Sequence, residues 1–176
     1  MKKMTTLAFI GLLLAMDIIL TRIVPVIQIE TIRISFGFIP QAFSSMLFGP
    51  WIGGLSAVLG DLLGMMVAPR GPYFPGFTFS ALLTGVIYGI FLYKKPKTIL
   101  RVAIAVFIIT LFVDIGLNTY WLTILYGKGF FAILPARIIK SLALLPVQTS
   151  VIYIMWRYAG GFIEKMLMGH SRYNAL

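Results

Sequence analysis

Two apolar stretches, 98–126 and 130–158, follow one another with only Gly127-Lys128-Gly129 between them. A helix needs about 20 consecutive apolar residues to cross a bilayer, and each stretch exceeds that. The first contains only Arg101 and Asp114 as charged residues; the second contains Arg137, Lys140 and Arg157. Shorter runs of the same kind fill the chain from Met4 to Tyr93. Over all 176 residues, 60% are hydrophobic and 11% charged, and mean hydropathy is +0.97. No soluble domain has enough polar surface to cover such an interior. The pattern predicts an all-α integral membrane protein, a single membrane-embedded domain over residues 1–176. The lipid bilayer is its first partner, and the cell membrane, crossed several times, its location.

The order of segments follows from the breakers. Helix one is expected from about Met4 to Val24, ended by Pro25, and Val26–Ile34 alternates enough for an extended outer loop or short hairpin. Helix two is expected from about Ser35 to Phe48, and Gly49-Pro50 turns the chain into helix three, about Trp51 to Ala68. The turn APRGPYFPG leads to helix four, about Gly76 to Tyr93. Helices five (Thr98–Tyr126) and six (Phe130–Tyr158) are the two long runs, and an amphipathic, basic tail starts at Gly160. Lys2 and Lys3 precede the first apolar run as in a signal peptide, but no small-residue cleavage site follows, so helix one is expected to be retained. Six crossings put both termini on one side. With the termini inside, nine of the fifteen cations (Lys2, Lys3, Lys94, Lys95, Lys97, Arg101, Arg157, Lys165 and Arg172) fall in the cytoplasm, as the positive-inside rule requires.

The net charge of +10 is spread over helix ends rather than gathered on one polar element, which argues against nucleic acid. Cysteine is absent, excluding disulfides and thiolate chemistry. His170, the single histidine, lies in the polar tail. There is no Gly-Lys-Ser/Thr phosphate loop and no Ser–His pair, so no catalytic residue, metal site or cofactor is expected.

The six remaining cations, Arg22, Arg33, Arg70, Lys128, Arg137 and Lys140, fall on or toward the outer side. Arg137 and Lys140 lie at membrane depth on one helix face. A cation there is costly unless it is paired or faces a wet cavity. Asp17, Asp61 and Asp114 are the available intramembrane partners, and ligand contact is the alternative. Six outer cations stand against four outer anions, Glu30 included, a surplus that suits a carboxylate- or phosphate-bearing ligand above a cavity. Arg70 itself is expected to be a solvated loop charge.

Aromatic residues gather at the same level. Phe36 and Phe38 open helix two, Tyr73, Phe74, Phe77 and Phe79 surround the third turn, and Tyr120, Trp121, Tyr126, Phe130 and Phe131 border the fifth. Each singly fits an interfacial belt. Together they offer planar faces for a flat heterocycle, with Asp61, Thr78 and Asn118 as polar neighbours for its edge. The turn at 68–76, including Pro75 and Gly76, has the character of a lid. Small-residue stripes (Ala8, Gly11, Ala15; Gly53, Ala57, Gly60, Gly64; Ala81, Gly85, Gly89) allow helix backbones to touch. The first stripe could face a partner protein as readily as the chain's own interior.

Arg33–Gly64, RISFGFIPQAFSSMLFGPWIGGLSAVLGDLLG, followed by PRGPYFPGFTFSALLTGVIYGIF at Pro69–Phe91, resembles the substrate-binding S-component of an energy-coupling factor (ECF) vitamin transporter, in its folate-specific branch. The resemblance covers essentially the whole chain. It implies six transmembrane helices with cytoplasmic termini and a high-affinity vitamin pocket near the outer face, under the loops after helices one, three and five. It further implies docking on a membrane coupling subunit with two ATPase subunits, and toppling to release the vitamin inside. Small residues on helix one, here Ala8, Gly11 and Ala15, would meet the coupling subunit. Folate is a flat pterin joined to a benzoyl-glutamate. The expectation is therefore a pterin stacked among Phe77, Trp121 and neighbouring rings such as Phe36, with Asp61 or Asn118 at its edge. Arg22, Arg33, Arg137 or Lys140 would meet the carboxylates. Another vitamin, pantothenate or riboflavin, is the alternative ligand, and an intramembrane aspartyl enzyme built on Asp17, Asp61 and Asp114 the alternative class.

Overall fold

The computed structural model describes residues 2–24, 27–29, 32–69, 71–127 and 129–168. Helix α1 (Lys2–Ile18) runs on into a π-helical turn, Ile19–Ile23. Strands β1 (Ile27–Ile29) and β2 (Ile32–Ile34) form an antiparallel ribbon, Gln28 opposite Arg33. Helices α2 (Phe38–Phe48), α3 (Pro50–Val67) and α4 (Pro75–Leu92) follow. A continuous rod then comprises α5 (Ile99–Ile108), a nine-residue π-helical stretch (Ile109–Leu117) and α6 (Asn118–Tyr126). Helix α7 (Phe130–Met168) ends the described chain.

Five of these rods are long and apolar enough to cross a membrane. The sixth helix, α2, has 11 residues and is about 16 Å long, half a bilayer core. Phe38, three residues later than the expected Ser35, is its first helical residue, because Ser35–Gly37 completes the turn out of the ribbon. What α2 lacks in length it makes up in burial. Pro40 through Met46, apart from Gln41, is buried where α2 packs on α1, α3, α4 and α7. Phe43 and Met46 join Tyr88, Val102, Val106 and Ile152 in the core. The expected break at Gly160 does not occur: α7 continues to Met168 through Pro135 and Pro146.

The predicted stripes do pack internally on α3 and α4. A Cβ built on Gly85 would stand 2.6 Å from the Gly53 carbonyl oxygen, so the two backbones touch there and only hydrogen fits. The turns obey the expected breakers. Gly49, at φ +93°, separates α2 from α3, and Pro50 and Pro75 each occupy a first helical position, where the missing N–H costs nothing.

Candidate functional site: a polar cavity at one end of the helices

A cavity of about 350 Å³ lies among α1, α2, α3, α4, α6 and α7. Its rim includes Ser35 and Gly37, Gly71–Tyr73, and Tyr126, so it opens where the connections after α1, α3 and α6 lie. Lys94 and Lys95 are at the far end of α4, whose 18 residues span about 27 Å.

The GDLLG run of α3 builds one wall. A Cβ on Gly60 would strike the Asp17 carboxylate, and one on Gly64 would lie 2.8 Å from Arg22 Nε. The two glycines thus leave room for the polar end of α1 to pack on α3. Arg22, 5% exposed, projects from the π-helical turn. Its Nη2 donates to Asp61 Oδ1 at 3.2 Å and its Nη1 approaches Met65 Sδ at 3.1 Å. The other Asp61 oxygen accepts from Thr78 Oγ1 at 2.8 Å, and the Tyr73 hydroxyl lies 3.3 Å from that same Thr78 oxygen. Arg22, Asp61 and Thr78 therefore tie α1, α3 and α4 together at the cavity edge.

Aromatic rings form a second wall. Phe74 packs edge-on against Phe77 at 6.1 Å and in a tilted pair with Trp121 at 5.6 Å, and Tyr120 flanks Trp121 at 5.2 Å. Trp121 Nε1 donates to Ser80 Oγ at 3.1 Å, which satisfies the indole in an apolar setting. Phe74 and Phe77 line the cavity while Trp121 stands behind Phe74. Gly76 lets the indole approach: a Cβ there would meet both Trp121 and Phe74.

Cations and amides supply the third wall. Arg137 and Lys140, one turn apart on α7, both line the cavity. Arg137 Nη2 donates to the Asp114 backbone oxygen at 2.8 Å. Asn118 Nδ2 donates to Asp114 Oδ1 at 3.3 Å, leaving Asn118 Oδ1 buried with no hydrogen-bond partner among the described residues.

Of the residues expected from sequence, Arg22, Asp61, Phe77, Asn118, Arg137 and Lys140 converge on this cavity. Thr78, Gly76 and Trp121 support its walls from behind. Pro75 starts α4 at an exposed position, and Phe36 is 44% exposed, packed on Phe38 outside the lining. The Arg33 side chain, Arg70 and His170 lie outside the described part of the structure. Sequence reasoning overlooked Gln41, Ser80, Thr84 and Gln148, which also line the cavity. Their signal was available, since a polar side chain within an apolar helix faces a cavity or a partner far more often than lipid. Among the described residues no cluster of His, Cys, Asp or Glu could hold a metal ion.

Membrane-length helices closed around a cavity with aromatic, cationic and amide walls define a membrane-embedded small-molecule-binding protein. The chain belongs to the family of ECF transporter substrate-specific components, whose family model matches residues 5–156. That is the family its sequence resembles. It is 43% identical over 157 residues to a folate transporter, FolT, of Clostridium novyi, covering 89% of this chain and 91% of that one. To the folate transporter FolT of Leuconostoc mesenteroides it is 30% identical over 161 residues, 87% of this chain and 86% of the relative. Its fold matches a crystal structure of FolT bound with folic acid at a TM-score of 0.81 and 36% identity, over 85% of this chain and 90% of that one.

Proposed function

We propose that this chain is the folate-binding membrane subunit of an ECF-type uptake transporter, a binding protein and not an enzyme. It captures folate outside the cell membrane and releases it inside when docked on a coupling subunit with two ATPase subunits. The observation that carries the reading is the 350 Å³ cavity, of ligand size, in a chain whose fold matches a folic-acid-bound relative.

The pterin lies against Phe74 and Phe77. Asn118 Oδ1, buried and lining the cavity, accepts from its N–H edge. Arg137 and Lys140 meet the glutamate carboxylates, and Arg22 lies within the same lining. Arg33, in β2, is the further carboxylate contact that the sequence suggests. Asp61 acts chiefly through Arg22 and Thr78, which occupy one of its oxygens each, while Pro75, Gly76, Thr78 and Trp121 shape the aromatic wall. Phe36 lies beside the rim, between Ser35 and Gly37. The termini and the Lys94–Lys97 connection are cytoplasmic, so the cavity opens outward beneath the lid expected at 68–76.

Ala8, Gly11 and Ala15 are all exposed on α1, and among the described residues nothing lies within 4 Å of a Cβ built on Gly11. A stripe of small residues turned away from its own bundle suits close approach by a helix of the coupling subunit.

Folate titration of purified Arg137→Met/Lys140→Met protein tests the ligand assignment. Losing two charge-assisted contacts lowers affinity by at least about 100-fold. Wild-type affinity in that variant would remove the cations from the site.

A further inference from the structure

The π-helical stretch Ile109–Leu117 runs along the cavity wall and carries Asp114. Within it backbone bonds reach five residues back, and the last joins Asn118 N–H to the Val113 carbonyl. From Asn118 the chain is α-helical again, with bonds reaching four residues back. With residue 118 bonded to 113 and α-helical spacing after it, the carbonyl stepped over at the junction is that of Asp114. At membrane depth an unsatisfied carbonyl is costly and finds a partner within the protein. This one accepts from Arg137 Nη2 at 2.8 Å, with Thr119 Oγ1 at 3.4 Å. The Asp114 side chain is turned to Asn118 instead. Arg137 is 6% exposed and lines the cavity from α7, so the bond also ties α7 to the α5–α6 rod across the site.

We infer that this π-to-α junction is a positioning element of the binding site: the backbone carbonyl of Asp114 sets where the Arg137 guanidinium stands, and hence where the anionic end of the ligand is held. The backbone carbonyl fixes one side of the guanidinium through a single short hydrogen bond. The planar fork of Arg can hold the carbonyl with one nitrogen and present others to the cavity, which Lys cannot do. The inference rests on the reading of Arg137 as a contact to a folate carboxylate.

The test replaces the 114–115 amide by an ester, with an α-hydroxy acid at position 115, which weakens the Asp114 carbonyl as an acceptor. Folate and a free pterin lacking the benzoyl-glutamate are titrated against the purified protein by intrinsic fluorescence. The ester is expected to lower folate affinity about ten-fold, the worth of a hydrogen bond to a charged group, and to leave free pterin within about three-fold. In an Arg137→Met background the ester should change nothing further. Arg137→Lys, which needs no ester and folds under ordinary expression, is expected to lose at least about ten-fold for folate because the fork is gone. Unchanged folate affinity in the ester or in Arg137→Lys overturns the inference. So does an equal loss for both ligands, or an ester effect that persists without Arg137. Wild-type protein that binds no folate defeats the functional reading itself and not this junction alone.

Discussion

Asp61→Asn is the sharpest probe of how the cavity is held together. The substitution keeps the shape of the side chain and an acceptor for Thr78 but removes the charge opposite Arg22. That pair is separated by 3.2 Å, with side-chain exposures of 4% for Arg22 and 21% for Asp61. At an effective dielectric of about 20, two unit charges at this distance attract by about 5 kcal/mol. Leaving Arg22 buried without the Asp61 charge costs about 3–5 kcal/mol, and the partial exposure of Asp61 favours the lower figure. For a chain of this size about 3 kcal/mol corresponds to a fall in thermal midpoint of about 6–12 °C. Removing both charges, in Arg22→Met/Asp61→Asn, discards the desolvation cost along with the attraction and should restore most of the loss. The assay is thermal unfolding of detergent-solubilised protein for the wild type, the two single variants and the double variant, followed by tryptophan fluorescence. A midpoint for Asp61→Asn within about 2 °C of wild type, or a double variant that loses the sum of the singles, would refute the reasoning.

Three further outcomes follow from the same structure. Gly85→Leu drives a side chain into the Gly53 backbone and should abolish recovery of monodisperse folded protein in size-exclusion chromatography, whereas Gly11→Leu, where the space is open, should elute as wild type. The same Gly11→Leu should bind folate normally yet abolish folate uptake by cells that carry the coupling subunits, because it blocks the outward stripe of α1. Trp121→Phe loses the 3.1 Å bond to Ser80 and should cost about 1 kcal/mol of stability, with folate-dependent fluorescence quenching largely lost because Trp51 is 77% exposed and Trp156 is buried in the core.

Much of the fold was legible because bilayer thickness fixes the length of a crossing helix, and apolar runs report that length directly. The short α2 was legible apart from its start, which falls at Phe38 because Ser35–Gly37 completes the turn out of the ribbon. The basic character of the tail suggested a new segment at Gly160, but Gly160-Gly161 does not halt a helix that began at Phe130. In the site, Arg137, Lys140 and Asn118 stood out because polar groups at membrane depth are few. The pairing of Arg22 with Asp61 could not be read, since it joins residues 39 apart and depends on how α1 settles against Gly60 and Gly64. The π-helical stretches were equally hidden. A five-back hydrogen bond requires no Gly or Pro and leaves no mark in residue type.

Folate binding by the isolated protein tests the central claim most directly. Detergent-solubilised wild type is titrated with folate, pantothenate and riboflavin, and intrinsic tryptophan fluorescence is followed. Saturable quenching by folate in the nanomolar range, about −12 kcal/mol, with none from the other two vitamins, is the predicted result. Tighter binding of pantothenate or riboflavin, or no saturable response to any of the three, would contradict it.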